Sequence, residues 1–425
     1  MVDAIASRRL RGARGWLAAA ALLLCWVSPT LARAGTFKLC LLYHATTVDS
    51  GTGEDYYTST NWWRARGAKV EVYDSLWPYA KLWPPAGQDP YAGAGDGCVT
   101  VSIPGVDQTQ LRVRMYMETR LGRSDNITIQ AIDADQTEPG YVTILTSTMS
   151  SGDTRWIYGP SSQLSNLVAI ASFAFYWWDT HDPSGQGLTG SHTFKIRNED
   201  CPGYPGNSCA PFPTAYIAPG HNPRKFAIAH EVGHLVYQAY RVDEGSSASY
   251  SFDCSSNVGG PACTYADPTP GSPEALEHAL HSMEWGSCAL GEGFAHFFAT
   301  DAFNSHGQSG AIFGYYKYLD QQDPYIVNVE NGPTGGVTAY MENMCVGTPF
   351  DGRGTELDWL RTFWDYHTNP GSQPGHTLIM DEMRRAHDDD GFGSSAAYQT
   401  MRTAAGADGL KARWDEMGQW NGIDY

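Results

Sequence analysis

Two histidines, with a glutamate directly after the first, form the pattern H-E-x-x-H at His230, Glu231 and His234. On an α-helix, residues four apart lie one turn above each other on the same face, so the two imidazoles can bind one divalent metal ion. Glu231 can reach a water molecule at that metal without being a ligand itself. The spacing therefore predicts a metal centre for hydrolysis, with Glu231 as the base.

The residues around this pattern predict a helix over 223–241. Asn222 is a favourable N-cap, Pro223 suits the first helical position, and no proline interrupts the segment that follows. An apolar stripe runs along one face: Phe226, Ala229, Val236 and Tyr240. We therefore expect this helix to be packed inside the protein.

A catalytic zinc site needs three protein ligands, so a third must come from elsewhere in the chain. The same-helix pattern H-E-x-x-H-x-x-G-x-x-H is excluded, because Tyr237 and Tyr240 stand at its glycine and last histidine. A later pattern, G-T-x-D, is approached at 354–357 but lacks its aspartate. The best candidate is Glu292, in the segment GEGFAHFFA at 291–299, which has helical apolar spacing and begins with a glycine.

These residues resemble the gluzincin metallopeptidases, whose signature is H-E-x-x-H followed by a glutamate on a second helix, often within N-E-G-F-A. The chain matches both parts, with Gly291 in place of the usual asparagine. The resemblance covers about residues 225–300 and implies a peptide or protein substrate. It also implies Glu231 as general base and a Zn²⁺ ion with three protein ligands: His230, His234 and Glu292.

In the same family, a tyrosine or histidine from the later helical part stabilises the oxyanion that forms during hydrolysis. Tyr366 and His367, in LDWLRTFWDYHT, are the candidates here, and Asp365 is placed to orient an imidazole. The other interpretation of this segment is the end of an amphipathic helix with aromatic packing.

His296 lies one turn after Glu292 on the same face, where thermolysin-like enzymes carry an aspartate that orients a ligand histidine. It is predicted to orient a ligand or to pack beside it. The alternative is a fourth protein ligand, which would close the coordination sphere and make the site structural. Three further residues are fallback ligands if Glu292 points away: His278, His281 and Glu284.

Residues 1–34 have the features of an export signal: a basic n-region, an apolar core at 16–27, and an A-x-A cleavage site at 32–34. We expect cleavage near Ala34 and a secreted protein, extracellular or periplasmic. The apolar core is too short for a comfortable membrane span, so no stable membrane insertion is predicted.

Without residues 1–34, which contain five arginines and one aspartate, the net charge changes from −18 to −22. A strongly acidic chain is a poor binder of polyanions, so a nucleic-acid partner is disfavoured. Nothing in the sequence indicates an oligomeric state.

Eight cysteines remain beyond the export segment, and an even number in an exported chain favours disulfides. The spacings suggest two short pairs, Cys201–Cys209 and Cys254–Cys263. Two longer pairs would then be Cys40–Cys98 and Cys288–Cys345, although eight cysteines allow about 105 connectivities. No C-x-x-C pair occurs, which disfavours a cysteine-rich zinc ribbon.

A mature chain of roughly 390 residues exceeds a single core, so two domains are expected. Short alternating runs up to about residue 196 predict strands of an antiparallel β-sandwich-like domain. We therefore predict an α+β protein, with a β-rich domain at 35–205 and a mainly helical, zincin-like metallopeptidase domain at 206–425. The predicted helices cover 223–241, about 274–304, 356–368, 377–388 and the end of the chain from about 394.

Together these features predict a secreted zinc-dependent peptidase. The main alternative is a catalytically inactive secreted binding or surface module that keeps the peptidase scaffold. A further alternative is metal-dependent hydrolysis of a non-peptide amide or ester.

Overall fold

Strands dominate the first half of the molecule and helices the second, as the sequence predicts for an α+β protein. The structure is a computed structural model that describes residues 34–45, 62–76, 79–104, 106–122, 126–182, 187–245, 280, 284–306, 310–316, 325–330, 353–369, 374–390 and 397–423. The predicted export segment, apart from Ala34, lies outside the described residues.

The described strands are β1 (Ala34–His44), β2 (Trp62–Arg64), β3 (Ala68–Asp74), β4 (Lys81–Trp83), β5 (Cys98–Pro104), β6 (Gln108–Thr109), β7 (Leu111–Leu121), β8 (Ile127–Asp133), β9 (Tyr141–Leu145), β10 (Met149–Ser150), β11 (Thr154–Tyr158), β12 (His192–Asn198), β13 (Thr214–Ile217), β14 (Glu284–Trp285), β15 (Ile312–Tyr315), β16 (Tyr325–Asn328) and β17 (Arg353–Gly354). The described helices are α1 (Gln163–His181), α2 (Lys225–Asp243), α3 (Gly286–Phe303), α4 (Glu356–Thr368), α5 (His376–Asp390), α6 (Ala397–Ala407) and α7 (Lys411–Asn421).

Two sheets account for most of these strands. The larger has seven strands in the order β13-β12-β8-β7-β3-β4, with β9 paired to β7. In the smaller, β1 pairs with β11, β2 and β5. Both sheets mix directions, because β12 is parallel to β8 and β13, and β1 is parallel to β11. Parallel neighbours need a crossover connection, unlike the antiparallel hairpins expected from the sequence.

Helix α1 lies between β11 and β12 in the chain and was not predicted. It contacts β7 and β8 on one side and α2 and α3 on the other. Thirteen of its 19 residues are buried, including Ser165 and Asn166. A helix buried over most of its surface lacks the broad polar face that marks an amphipathic helix in a sequence, which explains why the sequence did not indicate it.

Helix α3 is the centre of the helical half, and it packs against both α2 and α4. Two glycines allow close approach at these contacts. A Cβ on Gly233 would lie 3.1 Å from the Cβ of Phe298, and one on Gly293 would lie 2.4 Å from the Cβ of Trp359. Each glycine is next to a predicted ligand in the sequence, so the close contacts fix the backbones that carry the site.

Helix α4 has the predicted boundaries. Helix α5 begins one residue earlier and ends two residues later than predicted. The predicted N-cap of α2 is wrong: the cap is Arg224, without a side-chain hydrogen bond. Asn222 is buried instead, and its backbone carbonyl accepts a hydrogen bond of 2.6 Å from Asn166 Nδ2. The tertiary contact with α1 holds Asn222 outside the helix, although its type suits a cap.

Two of the predicted disulfides are present, Cys40–Cys98 and Cys201–Cys209. The first joins directly opposite residues of β1 and β5. Cys288 is also disulfide-bonded, but its predicted partner Cys345 and the predicted pair Cys254–Cys263 lie outside the described residues. No helix in the described part of the chain is long and apolar enough to cross a membrane.

Candidate metal centre

The three predicted ligands meet at one point between α2 and α3. Nε2 of His230 lies 3.1 Å from Nε2 of His234. Oε2 of Glu292 lies 3.0 Å from the first nitrogen and 3.4 Å from the second. The three residues are 2%, 9% and 8% exposed, so the donor atoms form a buried triangle.

The triangle has the dimensions of a metal site. Ligands at about 2.0–2.1 Å in tetrahedral geometry stand about 3.3 Å apart, close to the three observed separations. Two imidazole nitrogens and one carboxylate oxygen are a donor set found in catalytic zinc sites. The residues therefore fit a bound metal ion, with one protein donor fewer than a structural zinc site uses.

The electrostatic environment differs between the two histidines. Burial, together with the nearby His296, lowers the pKa of His230 well below its usual value. For His234 burial acts in the same direction, but the carboxylate of Glu292 outweighs it and raises the pKa. His230 is therefore held in the neutral form that a metal ligand needs, whereas the Glu292 carboxylate favours the protonated form of His234.

Glu231 is buried beside this triangle, with 3% of its surface exposed. Its charge acts on His234 and on Tyr316, which places the carboxylate in the same pocket. It is not one of the three residues whose donor atoms converge. This is the arrangement expected of a base beside a metal rather than of a ligand.

His296 lies behind His230, and their ring centroids are 4.4 Å apart. Its Nε2 lies 2.7 Å from Oε2 of Glu356, a fully buried carboxylate. Glu356 is the first residue of α4, where the side chain of Thr355 caps the helix and the helix dipole favours a negative charge. The pair lies against the ring of His230, and its donor atoms also lie within 4.8 Å of a carboxylate oxygen of Glu292. Nδ1 of His230 has no hydrogen-bond partner within the described segments.

Tyr316 is a site residue that the sequence did not indicate. It directly follows β15, and its ring lies 5.6 Å from that of His230, between centroids. Burial and the carboxylates of Glu231 and Glu292 raise the pKa of Tyr316 well above its usual value. Its hydroxyl therefore stays protonated, and it is available as a donor to a group bound beside the triangle.

The two residues predicted to stabilise the oxyanion contact other polar side chains. The hydroxyl of Tyr366 donates a 3.0 Å hydrogen bond to Glu382, and burial raises the pKa of Glu382 to about 8. His367 lies beside Asp301 and His376, and burial lowers its pKa to about 3. Neither residue is among those whose donor atoms converge at the triangle, so their oxyanion role stays a prediction.

Sequence reasoning named the three residues whose donor atoms meet but missed two of their neighbours. Glu356 was visible in the incomplete G-T-x-D pattern, and its position after a threonine cap was a usable signal. Tyr316 carries no motif at all, because only the path of β15 brings it to His230. Of the fallback ligands, His278 and His281 lie outside the described residues, and Glu284 is described only as backbone of β14.

The sequence matches no protein-family model and no curated protein. What the site can bind is therefore inferred from its own residues and their geometry.

Proposed function

We propose that this protein is a secreted zinc-dependent peptidase that hydrolyses peptide bonds. The observation that supports this most strongly is the buried triangle of His230, His234 and Glu292 donors, with separations of 3.0–3.4 Å. The sequence pattern H-E-x-x-H with a later glutamate, and the position of Glu231 beside the triangle, support the same proposal. The resemblance to gluzincins adds the substrate class.

His230, His234 and Glu292 would hold a zinc ion, and that ion would polarise a water molecule and the scissile carbonyl. Glu231 accepts a proton from the attacking water and later donates it to the leaving amine. Tyr316 donates a hydrogen bond to the oxygen that becomes negatively charged. His296 and Glu356 keep the ring of His230 in place while this occurs.

Secretion is part of the same proposal. It is supported by the composition of residues 1–34 and by the disulfides Cys40–Cys98 and Cys201–Cys209, since disulfides persist in oxidising compartments. Strand β1 begins at Ala34, so cleavage near that residue would leave almost the whole strand in the mature chain.

The test is Glu231→Gln in the full chain loaded with zinc, measured on casein and on a mixed peptide library. We expect the rate of peptide hydrolysis to fall by about 10²–10⁴-fold while bound zinc is unchanged. The control is Glu244→Gln, the same substitution at the exposed C-cap of the same helix, which should leave the rate unchanged.

Two results would overturn the proposal. A zinc-loaded wild type that hydrolyses no peptide would favour the inactive binding module. Hydrolysis that persists at full rate in Glu231→Gln would exclude Glu231 as the base. Parallel assays with ester and non-peptide amide substrates would show whether the same site prefers another acyl group.

A further inference from the structure

Three histidines outside the first site converge on the carboxylate of Asp301. Oδ2 of Asp301 lies 2.8 Å from Nε2 of His376, and Oδ1 lies 2.5 Å from Nε2 of His306. Nε2 of His367 lies 3.7 Å from the same Oδ1. Asp301, His367 and His376 are 1%, 4% and 1% exposed, so the group is enclosed by protein.

The contact between His367 and Asp301 places two acceptors face to face. Nδ1 of His367 lies 2.8 Å from the carbonyl oxygen of Pro374 and must donate to it, because a carbonyl only accepts. In the neutral ring, Nε2 then carries a lone pair. It is buried without a hydrogen-bond partner in the described part of the chain, and it faces a carboxylate oxygen. Two buried acceptors so arranged repel each other unless a cation lies between them.

The surroundings are those of metal ligands. A backbone carbonyl fixes the ring of His367, and Nε1 of Trp177 donates a 3.1 Å hydrogen bond to Oδ2 of Asp301. Outer hydrogen bonds of both kinds orient the ligands of metal sites. Donor atoms of Asp301, His367 and His376 all lie within 4.8 Å of one another, as do those of the first site.

The third imidazole, that of His306, gives the cluster a path to solvent. The side chain of His306 is 35% exposed, whereas that of Asp301 is 2% exposed. A metal ion can therefore reach the carboxylate from solvent through His306.

The cluster is separate from the first site. Asp301 follows Glu292 by nine residues on α3, which is roughly 180° around the helix and about 13.5 Å along it. The two carboxylates therefore leave α3 on opposite faces. A metal ion at one site would share no ligand with the other.

We propose that Asp301, His306, His367 and His376 form a second metal site, which binds one divalent ion of the zinc class. Three imidazoles and one carboxylate complete a tetrahedral set, so the ion would be structural, with no position left for substrate. Its ligands come from α3, from the turn after it, from α4 and from the first residue of α5. The ion would therefore fasten α4 and α5 to the helix that carries Glu292.

The experiment counts zinc in the full chain after saturation and gel filtration, by elemental mass spectrometry. We expect about two ions per chain in the wild type and about one in Asp301→Asn, in His306→Gln and in His234→Gln. The combination of His234→Gln with His306→Gln should retain none. His306 is partly exposed, so its substitution tests the site even if Asp301→Asn does not fold.

A matched control is His192→Gln, which breaks another histidine–carboxylate pair, with Nε2 2.7 Å from Oδ1 of Asp243. Its zinc content should equal that of the wild type. A wild type with one ion that is lost in His234→Gln and kept in Asp301→Asn would overturn the second site and leave the first intact. A wild type with one ion that is kept in His234→Gln and lost in His306→Gln would support the second site and overturn the first.

Discussion

Gly233 of α2 faces Ala295 of α3 so closely that a Cβ on the glycine would lie 3.2 Å from the Cα of the alanine. Gly233 directly precedes the ligand His234, and Ala295 lies three residues after the ligand Glu292. The close contact between the two backbones is therefore what brings the glutamate within 3.4 Å of that histidine.

The first prediction concerns this contact. Gly233→Ala forces α2 and α3 apart by a few tenths of an ångström, because Ala295 Cα is backbone and cannot rotate away. We expect a loss of about 1–3 kcal/mol in the free energy of unfolding and weaker zinc binding. Gly406→Ala in α6 is the control, since its Cβ would meet Lys411 at 3.7 Å, an ordinary contact. Equal zinc affinity in the two variants, measured by chelator competition, would contradict the prediction.

A second prediction concerns Tyr316, the donor proposed for the oxyanion. Tyr316→Phe keeps the ring that packs against His230 and removes only the hydroxyl. We expect kcat to fall by about 10²–10³-fold, with bound zinc unchanged. Tyr240→Phe, which removes a hydroxyl 3.4 Å from Asp381, should leave kcat at the wild-type level. An unchanged kcat in Tyr316→Phe would remove this residue from the mechanism.

The third prediction concerns the pair behind the ligand. Glu356→Gln keeps the shape of the side chain but weakens the 2.7 Å contact with His296, whose ring supports His230. We expect zinc affinity to fall by about tenfold, while kcat at saturating zinc changes little. Glu330→Gln is the control, because Glu330 also accepts a partly buried hydrogen bond, from Trp364 at 2.7 Å. If zinc affinity is the same in both variants, the pair does not position the ligand.

The fourth prediction is a dependence of stability on pH. Burial raises the pKa of Glu382 from 4.5 to about 8 in the folded protein. Between these values the unfolded chain releases a proton that the folded chain retains, so the wild type loses stability as pH rises through this window. Glu382→Gln removes this loss, and its amide oxygen can still accept the hydrogen bond from Tyr366.

The measurement is the difference in melting temperature between Glu382→Gln and wild type at several pH values. The difference should increase from pH 4 to pH 8 and reach a few degrees in favour of the variant. Glu416→Gln, at an exposed position on α7, provides the control series. A difference that stays constant with pH would show that Glu382 is ionised in the folded state.

The residues of the candidate metal centre were identifiable in the sequence because each part of the pattern is local. The spacing of His230 and His234 places both on one face of a helix without any knowledge of the fold. The helix at 356–368 was predicted at its observed bounds, since its apolar period and its threonine cap are both visible in the sequence. Buried α1 was missed because it lacks a polar face, and Asn222 was misassigned because a distant helix competes for it.

The amino-acid sequence alone determined that His230 and His234 lie on one face of a helix, because helical periodicity is a property of neighbours in the chain. Only the tertiary structure decided which other residues meet them. It brought Glu292 to His230 and placed Tyr316 beside them. It also placed His367 beside Asp301, a neighbour that the sequence did not indicate. The physical reason is that contacts between distant segments depend on how closely helices pack. A glycine such as Gly233 permits a close approach, but the sequence does not indicate which helix lies against it.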